Sequence, residues 1–234
     1  MKAVILAAGM GMRLGNLIPK PLTTLVNEKT ILDFLVEKFT RHVGLHNIIV
    51  VVGYKKELIM EKFPELSYVY NSAYAHTNTS KSLLLALQKI DDDVLWVNGD
   101  VFMDDEVIEK LKESSYSACL VDTKKCGEEE VKYSVNAAGF IHYLSKTVKQ
   151  ANGEALGVNI ILRKDLSLFQ DALKHVDNRD YFEKGLENLT TQHIINMLPI
   201  NVGDAFCQEI DFNSDLEHVR QHISTHDHLE WTNS

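Results

Sequence analysis

The sequence predicts a doubly wound α/β fold in which helices flank a mixed, mainly parallel β-sheet. Short apolar runs alternate with amphipathic stretches through the first half of the 234 residues, a pattern that builds βαβ units. The second half has more strands joined by short turns, which indicates mixed pairing. We expect one domain over residues 1–225, with halves at 1–115 and 116–225 and a tail at 226–234.

The first half contains four predicted strands and four predicted helices. The strands are short apolar runs of the kind buried in parallel sheets, and the helices carry apolar residues at helical spacing. The predicted strands are residues 2–8, 48–52, 68–70 and 94–97. The predicted helices are residues 31–39, 55–63, 80–89 and 106–113.

The second half begins with strands at residues 118–122, 131–135 and 140–144, with Gly139 as a turn residue before the third. A further strand is predicted at 157–162, a long helix at 181–197 and a final helix at 213–222. Either Asn213 or Ser214 suits the N-cap of that last helix.

The net charge and the cysteine content argue against several classes of protein. A net charge of −9 argues against a nucleic-acid backbone or an anionic membrane as partner. The three cysteines, Cys119, Cys126 and Cys207, have neither the even number nor the spacing of a disulfide framework or a zinc site. No apolar stretch reaches eighteen residues and no secretion signal is evident, so we expect a protein of the reducing cytoplasm.

A glycine loop with two cations follows the first strand. Gly9 and Gly11 allow close backbone approach to a ligand, and Arg13 and Lys20 add positive charge, a combination suited to a polyphosphate. A dinucleotide-binding turn would need a third glycine where Leu14 stands, and a Walker A loop would need a Gly-Lys-Ser/Thr sequence. A simple tight turn with solvated cations is the remaining alternative.

An aspartate stands where the fourth predicted strand ends. Asn98-Gly99-Asp100 lies at the carboxyl edge of the predicted sheet, where ligands bind in open α/β folds. Asp100 is therefore placed to hold Mg²⁺ on the phosphates of a nucleotide. Gly-Asp before a helix is also common turn chemistry, so a capping role stays open.

The string A-A-G-x-G-x-R, followed by P-K-P-L, resembles the signature of the sugar-nucleotide pyrophosphorylases, or nucleotidyltransferases. The resemblance implies a Rossmann-like fold of the nucleotide-diphospho-sugar transferase type, a nucleoside triphosphate as substrate and Mg²⁺ as cofactor. Arg13 and Lys20 would be catalytic. The implied nucleotide-binding residues of this part are Leu6, Ala7, Ala8, Gly9, Gly11 and Asp100.

A second metal ligand is implied near the C-terminal end. Residues 207–217 resemble the late strand-to-helix motif of the same family, in which an acidic residue, an apolar residue and an aspartate precede a helix. Asp211 would then bind Mg²⁺ together with Asp100. Asp211 also suits the cap of the following helix.

Residues 71–83 match N-x-x-Y-x-x-x-N-x-x-x-S-L, which resembles the branch that contains the bacterial phosphocholine and phosphonate cytidylyltransferases. That branch implies CTP, with Asn78 and Ser80 reading the base. Asn78 could instead only cap the next helix. Lys81 stands where the branch often has an aromatic residue, and Met10 and Met12 replace smaller residues of the glycine loop.

The same branch implies an acceptor site for a cationic group. Residues 153–158 resemble its G-E-x-x-G-I strand, and residues 180–183 its acidic and aromatic helix start. A ring face with carboxylates would bind an ammonium group, although aromatic residues at a helix start are often simple core residues. Lys132 could bind the acceptor's phosphate or a carboxylate. The candidate acceptor residues are Lys132, Glu154, Asp180, Tyr181, Glu183 and Glu209.

We therefore expect an enzyme of the nucleotidyltransferase class, monomeric or homodimeric, that transfers CMP from CTP to a small phosphorylated or phosphonate acceptor and releases pyrophosphate. Phosphocholine is one such acceptor, and the product would serve cell-surface decoration. A hexose-1-phosphate nucleotidyltransferase and a non-catalytic nucleotide-binding regulator are the alternatives. The regulator is disfavoured because Arg13, Lys20, Asp100 and Asp211 are all present.

Overall fold

The computed structural model describes residues 1–11, 18–124 and 126–230, with side chains up to residue 225. The strands are β1 (Lys2–Ala7), β2 (Thr24–Val26), β3 (Lys29–Thr30), β4 (Ile48–Val52), β5 (Ser67–Tyr70), β6 (Val94–Asn98), β7 (Val101–Met103), β8 (Ser117–Asp122), β9 (Lys132–Val135), β10 (Ile141–Ser145), β11 (Gly153–Ile161), β12 (Met197–Asn201) and β13 (Cys207–Glu209). The helices are α1 (Ile31–Val43), α2 (Lys56–Lys62), α3 (Thr79–Leu87), α4 (Asp105–Lys112), α5 (Arg163–His175), α6 (Phe182–Thr191) and α7 (Asn213–Glu230). Within these ranges, no helix has the length and apolar character needed to cross a membrane.

Nine strands form one mixed sheet in the order β10-β9-β11-β6-β1-β4-β5, with β8 pairing β11 and β12. The four strands β6, β1, β4 and β5 are parallel, whereas β11 runs antiparallel to its neighbours. From β1 the chain moves outward to β4 and β5 and then returns to β6 on the other side of β1. This reversal creates a crevice at the carboxyl ends of β1 and β6, where open α/β sheets bind ligands.

Helices cover both faces of the sheet. Alternate residues of β1 point to opposite layers, with Ile5 in the core under α1, α4 and α7 and Leu6 in the core under α3, α5 and α6. Because β1 is buried on both faces, its sequence is a continuous apolar run rather than an alternating one. The predicted fold class is confirmed.

Two predicted helix boundaries were wrong, and one helix was missed. The helix predicted over 181–197 ends at Thr191, because His193 adopts a left-handed conformation with φ of 55° and Ile194 N–H closes back onto the Leu189 carbonyl. Met197 then begins β12 instead. Helix α5 was not predicted at all, although Leu166, Phe169 and Leu173 follow helical spacing. The final helix continues past residue 222 to Glu230.

Candidate active site

A cleft of about 930 Å³ opens at the carboxyl ends of β1 and β6. Leu6, Ala7 and the two loop glycines line one wall, and the turn after β6 lines the next. Arg13, predicted to be catalytic, lies outside the described residues.

Two glycines shape this part of the cleft in different ways. Gly99 donates its N–H to the Leu6 carbonyl at 2.9 Å, and a Cβ on Gly99 would lie 2.7 Å from that oxygen. The turn that carries Asp100 can therefore dock on β1 only without a side chain at this position. Gly9 faces open space, since a Cβ there would meet no atom within 4 Å among the described residues. A ligand could approach the backbone at Gly9.

Three carboxylates meet beside the turn after β6. Asp100, Glu209 and Asp211 each offer an oxygen within 4.8 Å of the others. They meet because β13 pairs antiparallel with β7, and this register continues to a 2.9 Å hydrogen bond from Ile210 N–H to the Asp100 carbonyl. Glu209, predicted to contact the acceptor, thus lies with the two predicted metal ligands.

Lys20 lies among these carboxylates. It belongs to a 3₁₀ turn, Lys20–Leu22, and only 7% of the residue is exposed. Its Nζ is 2.6 Å from Asp100 Oδ2 and 2.5 Å from Asp211 Oδ1. Burial acts to lower the pKa of Lys20, but the two carboxylates outweigh it and raise the pKa above its ordinary value. Lys20 therefore remains a fixed positive charge.

The acidic cluster fits a hard divalent cation. Asp100 Oδ1 is buried and has no hydrogen-bond partner among the residues that the structure describes. Such an oxygen, close to two further carboxylates, matches the ligand preference of Mg²⁺. Asp100 and Asp211 would hold the ion, with Glu209 beside them.

Helix α7 supports this cluster through hydrogen bonds to the chain segment that carries Glu209 and Asp211. Asp215 accepts the N–H groups of Asp211 at 2.9 Å and Phe212 at 2.7 Å, which secures the backbone that carries the predicted metal ligand Asp211. His218, from the next turn of the helix, lies 2.6 Å from Gln208 of β13 through its Nδ1. A helix terminus therefore holds β13 in place against the cleft.

The other end of the cleft is formed by β11 and the start of α6. Glu154 is 4% exposed, and its Oε1 is 2.9 Å from Lys124 Nζ. Glu183 is 8% exposed and Tyr181 is half exposed at the helix start. Lys146 Nζ lies over the Tyr181 ring, 5.5 Å from its centroid. These groups could receive a polar or charged part of an acceptor.

Two carboxyl groups of the cleft have strongly raised pKa values. Burial raises the pKa of Glu183 to about 7, although the charge of Lys146 acts in the opposite direction. Partial desolvation, reinforced by the charges of Asp100 and Asp211, raises the pKa of Glu209 to about 8, while its side chain still reaches solvent. Raised values of this kind are common at functional sites.

Several predicted site residues lie away from the cleft lining. Asn78 caps α3 through the Thr79 N–H and donates to the Arg179 carbonyl, and Ser80 is fully buried. Lys132 donates to the Lys146 carbonyl, and Asp180 accepts the Asp177 N–H. The hydrogen bonds of Asn78, Lys132 and Asp180 thus serve local structure, and none of the four residues lines the cleft, although Lys132 of β9 lies opposite Glu154 of β11. Ala8 is also buried, with its carbonyl bonded to Tyr54 N–H.

Three cleft groups were missed by sequence reasoning. Lys124 and Lys146 lie among other charged residues, and no local pattern distinguishes them. Asp215 lies in the first turn of α7, and its contact with the Asp211 backbone follows from that position. A search for acidic residues in the first turn after a candidate metal ligand would have found it.

Comparison with known proteins agrees with the fold. Residues 3–159 match the model of the MobA-like NTP transferase domain. The chain is 30% identical over 197 residues to the bifunctional protein GlmU of Methanococcus maripaludis strain C5, covering 81% of this chain and 45% of that protein. The chain thus spans about half the length of the curated relatives it matches first.

A shorter match and a solved structure add detail. Over 96 residues the chain is 38% identical to the choline-phosphate cytidylyltransferase of Streptococcus pneumoniae, a match that covers 38% of this chain and 41% of that protein. The structure of the inositol-1-phosphate CTP transferase from T. maritima superposes with a TM-score of 0.78, covering 95% of this chain and 94% of that one at 19% identity. At that identity the superposition supports the fold alone.

Proposed function

Because the chain belongs to the MobA-like NTP transferase domain family, we propose that it transfers CMP from CTP to a small phosphorylated or phosphonate acceptor that bears an amine, with release of pyrophosphate. The observation that carries this proposal is the cluster of Lys20 with Asp100, Glu209 and Asp211 beside the glycine loop. The cytidylyltransferase among the relatives supports the choice of CTP.

The proposed reaction needs charge neutralisation more than acid–base catalysis. An oxygen of the acceptor phosphate forms a bond to the α-phosphorus, and the bond from that phosphorus to the bridging β-phosphate oxygen breaks. A phosphomonoester has its second pKa near about 6, so the nucleophile is already largely dianionic at neutral pH. The leaving pyrophosphate departs with the bond electrons, and no general base is required.

The residues of the cleft would divide this task. Backbone N–H groups around Gly9 and Gly11 would bind the phosphates, and Arg13 of the motif would stabilise the leaving group. Lys20, with its raised pKa, would place a positive charge between the nucleotide and the acceptor. Mg²⁺ bound by Asp100 and Asp211 would supply further neutralisation of the phosphate charge.

Nucleotide and acceptor choice can be tested together. Pyrophosphate release would be measured with Mg²⁺ and each of CTP, UTP, GTP, ATP and dTTP against phosphocholine, 2-aminoethylphosphonate, glycerol phosphate and several sugar-1-phosphates. We expect turnover with CTP and an amine-bearing acceptor. Turnover with a sugar-1-phosphate would replace the proposal by an NDP-sugar synthase, and nucleotide binding without any turnover would replace it by a regulator.

Two aspartate variants test whether turnover depends on the acidic cluster of the cleft. Asp100→Asn should reduce turnover by about 100- to 1,000-fold, because the variant loses a carboxylate that would hold Mg²⁺ and with it the ion's neutralisation of the phosphate charge. Asp171→Asn, on the exposed surface of α5, removes the same charge far from the cleft and should have no effect. Equal activity of both variants would contradict the mechanism.

A further inference from the structure

Two buried carboxylates lie at the acceptor end of the cleft. Oε2 of Glu154 and Oε2 of Glu183 are buried, and neither has a hydrogen-bond partner among the described residues. Both side chains are more than nine-tenths buried, and both line the cleft. An unpaired buried carboxylate oxygen is costly, so each of these oxygens marks a place where a hydrogen-bond donor would be stabilised.

The charge of the cleft favours a donor that is itself a cation. Its described lining residues include nine carboxylates but three lysines. Lys20 is engaged by Asp100 and Asp211, and Lys146 is 3.2 Å from Glu129. Lys124 pairs with Glu154 through Oε1 and leaves Oε2 without a partner. The acceptor end therefore keeps an excess of negative charge, which a positively charged ligand would neutralise.

The two unpaired carboxylate oxygens favour a primary ammonium group over a quaternary one. A primary ammonium group has three N–H donors, whereas a quaternary ammonium group has none and presents methyl groups to its surroundings. Quaternary ammonium groups are typically bound by several aromatic faces. Here Tyr181, two residues before Glu183, lines the cleft, and Lys146 already lies over its ring. The unsatisfied oxygens are matched by N–H donors and not by methyl groups.

Building on the proposed function, we propose that the acceptor carries a primary ammonium group and that Glu183, together with Glu154, selects it against the quaternary analogue. The N–H donors would bind the two free Oε2 atoms. Tyr181 and Lys146 would border the group without enclosing it. Phosphocholine would then be a poor acceptor, and an aminoalkyl phosphonate or phosphate a good one.

Matched acceptors provide the test. Initial rates would be measured with CTP and Mg²⁺ for 2-aminoethylphosphonate and its N,N,N-trimethyl analogue, for phosphoethanolamine and phosphocholine, and for propyl phosphate as a neutral acceptor. We expect kcat/KM for each primary amine to exceed that of its trimethyl partner by about 100-fold, because sites that accept hydrogen bonds from a substrate discriminate strongly against analogues that have no donor.

Variants assign the selectivity to specific residues. Glu183→Gln should reduce the preference for the primary amine, measured as the ratio of kcat/KM for phosphoethanolamine to kcat/KM for propyl phosphate, by at least about tenfold. A general folding defect would instead lower both values and leave their ratio unchanged. Glu187→Gln is the matched control, one turn further along α6, where the carboxylate accepts the Leu144 N–H and pairs with Lys184 outside the cleft.

The possible results distinguish a failure of the proposed amine selectivity from a failure of the proposed cytidylyltransferase function. Turnover of phosphocholine equal to or faster than that of phosphoethanolamine would overturn the inference and leave the cytidylyltransferase proposal standing. A preference for primary amines that persists in Glu183→Gln would overturn the role of Glu183. Absence of turnover with every acceptor, neutral or charged, would contradict the proposed function and the inference together.

Discussion

Lys20 and Asp211 form an ion pair of 2.5 Å although 191 positions separate them in the chain. Lys20 follows the glycine loop after β1, and Asp211 follows β13. The same Nζ contacts Asp100 Oδ2, so a single ammonium group bridges two carboxylates of the acidic cluster. In this arrangement Lys20 neutralises part of the negative charge that a divalent ion bound to the same carboxylates would neutralise.

This bridge predicts competition between Lys20 and metal in the nucleotide-free protein. Lys20→Met removes the competing cation, so we expect the affinity for Mn²⁺, measured by electron paramagnetic resonance without nucleotide, to rise about tenfold. Turnover should fall by about 100- to 1,000-fold in the same variant, because the charge that stabilises the reacting phosphates is also lost. Tighter metal binding would thus accompany lower activity.

Lys124→Met is the matched control for this experiment. Lys124 lines the same cleft and pairs with Glu154 and Asp122, away from the acidic cluster. A similar gain in Mn²⁺ affinity in both variants would show a general effect of cleft charge, and weaker Mn²⁺ binding in Lys20→Met would refute competition outright.

The two glycines of the nucleotide end should respond differently to alanine. Gly99→Ala places a Cβ 2.7 Å from the Leu6 carbonyl, so we expect a loss of about 1–3 kcal/mol in the free energy of unfolding, measured by urea denaturation. Gly9→Ala meets no atom within 4 Å in the part of the chain that the structure describes and should leave stability nearly unchanged, while the methyl group obstructs the phosphates and raises KM for CTP by about 10- to 100-fold. Stability loss in Gly9→Ala or normal stability in Gly99→Ala would contradict this assignment.

The local parts of this site were predictable, and the long-range pairing was not. The apolar run of β1, the glycines after it and the aspartate after β6 are each visible in a few consecutive residues. Their meeting follows from a general rule about the carboxyl ends of parallel strands. The pairing of β13 with β7, which brings Glu209 into the acidic cluster, depends on a register that no local pattern encodes.

Some residues are compatible with two different structural or functional roles, and tertiary contacts determine which role they take. Asn78 suits both base recognition and helix capping, and its amide is used by α3 and by the Arg179 carbonyl. The helix predicted over 181–197 ends early because His193 adopts a left-handed backbone conformation. A histidine in the sequence does not predict that conformation. Such competition between local preferences is resolved only when the neighbouring elements are packed.

The support of β13 by α7 can be tested through metal binding. Asp215→Ala removes the acceptor of the Asp211 and Phe212 N–H groups, so the backbone beneath the metal ligand becomes less constrained. We expect metal affinity, measured by Mn²⁺ titration, to fall by about 10- to 100-fold, as for other residues that orient a ligand. Asp215→Asn keeps an acceptor oxygen and should restore most of the affinity; equal losses in both variants would favour a charge effect instead.

The buried carboxyl of Glu183 predicts a pH-dependent stability. Its pKa is about 7 in the folded protein and near 4.5 in an unfolded chain. The unfolded chain therefore releases this proton first, and the free energy of unfolding falls as the pH rises from about 4.5 through about 7. The difference in pKa corresponds to roughly 3 kcal/mol.

Glu183→Gln should remove that loss, because glutamine cannot ionise. Relative to the unaltered protein, the variant should be more stable at pH 8.5 than at pH 5 by up to roughly 3 kcal/mol in urea denaturation. Glu187→Gln, whose carboxylate is held by the Leu144 N–H and by Lys184, should show no such gain on raising the pH. A Glu183→Gln variant whose relative stability is the same at both pH values would mean that Glu183 ionises as freely in the folded protein as in the unfolded chain. The cleft would then offer an ammonium group a permanently charged carboxylate, whereas a buried carboxyl with a raised pKa becomes fully ionised at neutral pH only when a cation binds beside it.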